Sequence, residues 1–202
     1  AVEICKLRLF LELVAHVSTY DEIEPLPDLD FNIRSGNALV GYKTFDEVTE
    51  SLSQDKNGQL RILSETESKM LQDFEEDVEV VSRALDAFKY MQEQFGINSD
   101  EFCKEKVELS KKLIALRKKA SKILHGSDRL FRKINFENWI ETHFPFHWAI
   151  DYYGIIKTGG FDVVIGNPPY KQNAEIKGYS FENFKTHECG NIYAAIMERC
   201  FQ

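Results

Sequence analysis

Between residues 71 and 95 apolar side chains return every three or four positions, at Leu71, Phe74, Val78, Val81, Leu85, Phe88 and Phe95, with Gln92 in the polar place. That spacing predicts a long helix with a heptad seam. A second seam follows at Leu109, Leu113, Leu116, Ala120 and Ile123. Between the two lies GINSD, 96–100, whose glycine ends one helix and whose Asn-Ser-Asp cluster caps the next. The expectation is an antiparallel helical hairpin over 64–126. Charge agrees with it. The first helix carries Glu65, Glu67, Asp73, Glu75, Glu76, Asp77 and Glu79, and the second carries Lys104, Lys106, Lys111, Lys112, Arg117, Lys118, Lys119 and Lys122. Exposed pairs are worth only about 0.2–1 kcal/mol each, so the seams hold the hairpin and the charges set its orientation. Two readings of the basic helix stand side by side: a solvated arm, or a surface that touches nucleic-acid phosphate.

Other patterns are shorter. VEICKLRLFLELV places Ile4, Leu7, Leu11 and Val14 on one helical stripe. Residues 25–41, PLPDLDFNIRSGNALVG, suggest a loop, a short strand near Leu29 to Ile33 and a polar turn at Ser35 to Asn37 in which Gly36 frees the backbone. DKNGQ, 55–59, is another turn. From Phe131 to Tyr153 the chain is crowded with rings, Phe131, Phe136, Trp139, Phe144, Phe146, Trp148, Tyr152 and Tyr153, with Pro145 interrupting any helix. Such a cluster suits a platform under the apolar run at 161–165, or a base-stacking surface if more arginine were interleaved. That run opens FDVVIGNPPY, 161–170. Phe161, Val163, Val164 and Ile165 read as a short buried strand, and Gly166-Asn167 before two prolines stops it, so that Asn167 and Tyr170 project from its carboxyl end.

Composition narrows the setting. The chain has 202 residues, 43% hydrophobic and 12% aromatic, enough to bury a core. A formal charge of −8 argues against a surface that grips nucleic acid all round, and leaves room for a local basic face. Cys5, Cys103, Cys189 and Cys200 lie far apart with no CxxC pair, which fits reduced thiols in the cytoplasm. No apolar stretch reaches the ~18 residues of a membrane span, so no membrane partner is expected. His143 and His147 stand four apart, but Pro145 lies between them and no third ligand is evident, so no metal site is expected. GxSxG, a Walker phosphate loop and GxGxxG do not occur, which removes the usual support for hydrolase, phosphoryl-transfer and dinucleotide readings. The chain begins inside one helical pattern and closes inside another, NIYAAIMERCFQ, as an internal fragment of a longer polypeptide would.

An Asn-Pro-Pro-Tyr turn at a strand end suits one kind of chemistry. The exocyclic amine of adenine is a poor nucleophile because its lone pair is delocalised into the ring. An enzyme using it must hold the nitrogen close to an electrophile. The Asn167 amide oxygen and the Pro168 carbonyl can accept the two amino hydrogens, Pro169 stiffens the turn, and Tyr170 can stack on the base for about 1–3 kcal/mol. A merely structural turn is the alternative.

VVIGNPPY resembles the catalytic motif of amino-directed S-adenosylmethionine-dependent methyltransferases, and FNIRSGNALVG resembles the preceding cofactor-side motif of adenine-specific DNA methyltransferases of restriction-modification systems. The likeness is strongest to large enzymes that fuse methylation and restriction in one polypeptide and to related phage-defence methyltransferases. In these, GGFDVVIGNPPY follows an aromatic segment like FPFHWAIDYYG and precedes a helix like NIYAAIMERC. The resemblance implies an α/β, helix-rich fold: a partial Rossmann-like methyltransferase domain with few strands, one fragment over 1–202, with the hairpin 64–126 inserted. It implies catalytic roles for Asn167, Pro168, Pro169 and Tyr170, and puts Gly36 and Asn37 near the adenine of the cofactor, although a plain turn also explains Asn37. It implies double-stranded DNA with a flipped adenine as the partner. The glycine-containing loop and the ribose-binding acid of the family have no counterpart in the sequence, and the family's first strands would separate the two strands present. A helix-rich structure with little sheet, self-association with another copy, and weak or no S-adenosylmethionine binding or methylation by these 202 residues alone are therefore expected. Glutamine methylation on a protein, also performed with NPPY, and a non-enzymatic helical interaction module are the competing functions.

Overall fold

A computed structural model describes residues 2–17, 31–53, 62–95, 100–128, 130–176, 180–181 and 183–201. The chain divides into two compact units, one formed by Ala1–Ser35 with Arg83–Lys112 and the other by Gly36–Ser82 with Leu113–Gln202. Eight α-helices are described: α1 Val2–Ala15, α2 Phe45–Ser53, α3 Glu65–Phe95, α4 Asp100–Ser127, α5 Phe136–His143, α6 Trp148–Asp151, α7 Tyr153–Lys157 and α8 Ile192–Phe201. The described residues contain no sheet, only isolated bridges between Asn37 and Pro145 and between Gln172 and Asn191.

The long helices form where the seams predict them. A capping box starts α3: the Ser64 hydroxyl accepts from the Glu67 N–H at 3.3 Å, and the Glu67 carboxylate accepts from the Ser64 N–H at 2.9 Å. In the first unit Leu85 and Phe88 of α3 and Phe102 and Leu109 of α4 are buried, and the Phe88 and Phe102 rings stack at 4.3 Å. Phe31 meets Phe88 edge-on at 5.3 Å. In the second unit Phe74, Val78 and Val81 are buried on α3, and Leu113, Leu116 and Ala120 on α4. There Lys119 pairs with Asp77 at 3.5 Å and lies over the Phe74 ring. In the first unit the end of α3 meets the start of α4, and in the second the start of α3 meets the end of α4, as in an antiparallel pair. The GINS turn at 96–99, the DKNGQ turn at 55–59 and the side chains of Gln92 and Phe95 lie outside the described residues.

Two strand expectations are corrected. Phe31–Ile33 form no strand; Leu29 and Asp30 lie outside the described residues. The apolar run at 161–165 is neither a strand nor buried, with Val163 72% and Ile165 92% exposed. A strand exists only through the ladder it shares with a neighbour, and no described segment pairs with this one. Hydrophobicity alone supplies the incentive to bury it and cannot supply the partner. The α/β expectation therefore reduces to its helix-rich part. The stripe of α1 is likewise uncovered: α1 has no buried residue, and Ile4, Leu7 and Leu11 are exposed.

The aromatic segment packs the second unit. Trp139, fully buried, sits among Phe131, Phe136, His125 and His143. Asn135 caps α5 by accepting from the N–H groups of Glu137 and Asn138. The helix ends at Phe144 in the left-handed conformation, φ 46°. Beyond it Phe146, Trp148 and Tyr152 form a second ring cluster, on which Phe161 rests 5.3 Å from Tyr152 and 6.2 Å from Trp148. The expected platform exists, and it holds only the first residue of the run.

Candidate functional site

The segment around Asn37 is fixed from several sides. Its N–H donates to the Phe144 carbonyl at 2.7 Å, its carbonyl accepts from Val40 at 3.0 Å, and its side-chain oxygen accepts from the Leu39 N–H at 3.1 Å. This is an Asx turn. A Cβ at Gly36 would fall 2.7 Å from Phe146 Cβ, and one at Gly41, φ 148°, would fall 1.9 Å from the Phe146 carbonyl oxygen. The backbone of 36–41 therefore lies directly against Phe146, whose N–H donates to the Val40 carbonyl at 2.7 Å.

His147 continues this anchoring. Nδ1 accepts from the Tyr42 N–H at 3.2 Å and Nε2 meets Ser121 Oγ of α4 at 2.9 Å. Both ring nitrogens are spent. Burial, with a smaller contribution from the Arg117 cation, lowers its pKa to about 3. Arg117 itself is paired with the buried Asp151. His143 turns to its own helix, with Nδ1 near Thr142 Oγ1 and the Trp139 carbonyl. Among the described residues no cluster of side chains could hold a metal ion.

Asn167, Pro169 and Tyr170 are exposed, and Pro168 is half-buried. Tyr170 is 76% exposed, with its ring 6.0 Å from that of Tyr193 at an angle of 44°. The chain immediately after the motif is pinned: the Lys171 carbonyl accepts from the Ile192 N–H at 2.9 Å, and the Asn173 N–H donates to the Gly190 carbonyl at 2.9 Å, around the Gln172–Asn191 bridge. The motif thus ends on the amino-terminal turn of α8. Helix α8 in turn packs against the Asn37 side of the unit, with Ile192, Ala195, Phe181, Phe184 and Leu39 in one buried cluster. Arg199 of α8 donates to the Leu39 carbonyl at 3.3 Å, stands 3.7 Å from Glu47 and lies over the Phe184 ring. Sequence reasoning missed Tyr193 and Arg199. NIYAAIMERC places Arg199 one turn after buried Ala195 and Tyr193 between buried Ile192 and Ala194, a pattern that shows a helix without showing what these two side chains touch.

A cavity of about 380 Å³ opens beside this junction, lined by residues including Val40, Tyr42, Glu47, Phe131, Phe184 and Arg199. Burial pushes the Tyr42 phenol up to about 12, with Ser51 and Ser127 pulling the other way. Neither Gly36 nor Asn37 lines this cavity, and neither does any residue of the Asn-Pro-Pro-Tyr motif. The structure thus joins the two motif segments through α8 and its core without placing them around one hollow. Against the cofactor implied by the family, the residues present fit only one end. Asn37 Oδ1 keeps a second lone pair and its amide nitrogen can donate, which suits the edge of an adenine ring. The described residues offer no counterpart for the methionine and ribose portions.

Among known proteins the chain stands with the methylases of restriction-modification systems. It belongs to the Eco57I restriction-modification methylase family, which it matches over residues 1–202. A relative in Methanocaldococcus jannaschii, named as a candidate type II restriction enzyme and methyltransferase, is 29% identical over 209 residues, covering 84% of this chain. The aligned part is 17% of that relative's length, so the chain spans a small portion of it. No solved structure matches. No described helix is long and apolar enough to cross a membrane.

Proposed function

We propose that this chain carries the catalytic motif of an adenine-specific DNA methyltransferase that transfers a methyl group from S-adenosylmethionine to the exocyclic amine of a flipped adenine. The observation that supports it best is the outward presentation of Asn167 and Tyr170 from a segment anchored on both sides, by Phe161 on the Trp148–Tyr152 rings and by Lys171–Asn173 on α8.

In this reading S-adenosylmethionine, when bound, supplies the electrophilic methyl group. The chain's residues orient the amine. Asn167 Oδ1 and the Pro168 carbonyl accept its two hydrogens, which aligns the nitrogen and draws its electrons out of the ring. Pro168 and Pro169 restrict the backbone so that these acceptors stay in place. Tyr170 lies against the base and offsets part of the unstacking cost. Asn37 faces the adenine edge of the cofactor, with Gly36 allowing its close approach to Phe146. The hairpin over 64–126 is an insertion into the methyltransferase domain, and strand-forming partners for 161–165 come from elsewhere in the polypeptide or from a second copy.

The experiment is methyl transfer from labelled S-adenosylmethionine to duplex DNA by the full polypeptide in which this sequence occurs, with digestion of the product to nucleosides. N6-methyl-2′-deoxyadenosine in the product supports the reading. Label on cytosine, or on protein glutamine with none on DNA, overturns it.

A further inference from the structure

Helix α4 divides its cations into two sets. From Leu109 to Ser127 it holds Lys111, Lys112, Arg117, Lys118, Lys119 and Lys122 and no acidic residue. Arg117 is paired with Asp151, Lys119 with Asp77 and Lys112 with Glu108. Lys111, Lys118 and Lys122 are exposed and, among the described residues, make no ion pair. These three form a stripe. At 3.6 residues per turn they fall within about 40° of one another and about 170° from the buried seam of Leu109, Leu113, Leu116 and Ala120. They therefore point away from the acidic helix α3. The orienting charge is Lys119, on the flank; the stripe has no part in it.

We infer that Lys111, Lys118 and Lys122 of α4 form a contact surface for the phosphate backbone of the DNA substrate, reading charge and not sequence. The inference rests on the DNA-methylating function proposed for the chain. Three unpaired ammonium groups on one helix, in a chain of formal charge −8, form a local field opposite in sign to the molecule around it. The stripe covers about 17 Å of helix, the axial rise of roughly five nucleotides of one strand. Exposed Ile114 lies between Lys111 and Lys118 on the same ladder and can rest on deoxyribose while the lysines meet the flanking phosphates. A lysine is suited to this use: it meets a phosphate as a mobile point charge and needs no fixed geometry.

The test uses the full polypeptide, unsubstituted and as the triple variant Lys111→Gln, Lys118→Gln and Lys122→Gln, with its Lys→Arg counterpart as rescue. Glutamine is close to lysine in helix propensity, and the sites are exposed, so thermal melting should be unchanged. Affinity is measured for a duplex containing the methylation site and for a scrambled duplex across a series of KCl concentrations. The expected result is a fall of about 2.7 in the slope of log affinity against log salt, equal on both duplexes, with kcat at saturating DNA unchanged and the arginine variant restored. An unchanged slope overturns the proposal, as does a loss confined to the specific duplex. So does retention of DNA affinity with loss of binding to polyglutamate, which would mark an acidic protein partner. A changed slope in a polypeptide that methylates no DNA would sink the proposed function and leave the phosphate surface standing. Intact methylation with an unchanged slope would do the reverse.

Discussion

The backbone N–H of Tyr42 donates to Nδ1 of His147 at 3.2 Å, while Nε2 of the same ring reaches Ser121 Oγ at 2.9 Å. One imidazole thus ties the segment following Asn37 to helix α4 and to the start of α6. Because an N–H occupies the Nδ1 lone pair, the ring is neutral with its hydrogen on Nε2, donated to Ser121. A protonated ring would turn Nδ1 from acceptor to donor and face the Tyr42 N–H with another donor, beside the Arg117–Asp151 pair.

This linkage gives the protein an acid-sensitive stability. An unfolded histidine titrates near 6.5, whereas burial lowers the native one to about 3. Between those values the unfolded chain binds a proton that the native state does not. The contribution is fully present above pH 6.5 and is lost as pH falls, at up to about 1.4 kcal/mol per pH unit. Urea denaturation between pH 7 and 5, above the main carboxylate range, should show the slope. In His147→Gln, overall less stable, the slope should flatten; an equally steep one would mean that His147 is not its source.

Gly41 and Gly166 make opposite demands. An alanine methyl at 41 would meet the Phe146 carbonyl at 1.9 Å and would hold an L-residue at φ 148°, whereas at 166 nothing lies within 4 Å. Gly41→Ala should destabilise by about 3 kcal/mol or more, through backbone strain and displacement of Phe146. Gly166→Ala should change the melting temperature little. Comparable losses in the two variants would contradict the tight approach of 41 to Phe146.

Legibility in the sequence depends on what each pattern needs. The seams of α3 and α4 are readable because a helix satisfies its own backbone, so that periodicity alone fixes both the element and its buried face; Phe74, Val78, Leu113 and Ala120 are where the spacing puts them. The run Val163–Ile165 misleads because a strand depends on a partner elsewhere in the chain. Asn37 is legible as a turn residue, and its Asx geometry follows from the residue type. The roles of His147 and Arg199 are not legible. Each is defined by long-range bonds, to Tyr42 and Ser121 and to Leu39 and Glu47, which no local pattern encodes.

Tyr170 offers a test in which fold and function separate. Its ring is largely solvent-exposed and touches Tyr193 obliquely, so Tyr170→Ala should leave thermal stability nearly unchanged. On DNA it should weaken the flipped state by about 1–3 kcal/mol, the worth of one base–aromatic stack. With 2-aminopurine at the target position, the full polypeptide should raise its fluorescence, the alanine variant should raise it less, and Tyr170→Trp should restore it. Equal signals from all of them would remove Tyr170 from base binding.

Asn167 carries the larger consequence. It is exposed, and its neighbours on the chain are held by Phe161 and by the Lys171–Ile192 bond, neither of which uses the amide. Asn167→Ala should therefore fold normally and bind duplex DNA within a few-fold of the unsubstituted protein, since phosphate contacts dominate affinity. The methyl-transfer step should fall by a factor on the order of 10²–10³, the usual cost of removing one preorganised polar group at a reacting centre. Asn167→Asp keeps an acceptor oxygen at the same place and should retain more activity than alanine. Single-turnover transfer of labelled methyl separates these effects from binding and product release. If Asn167→Ala transferred methyl at the unsubstituted rate, the amine would be held by some other group, and the Asn-Pro-Pro-Tyr segment would be only a turn between two anchors.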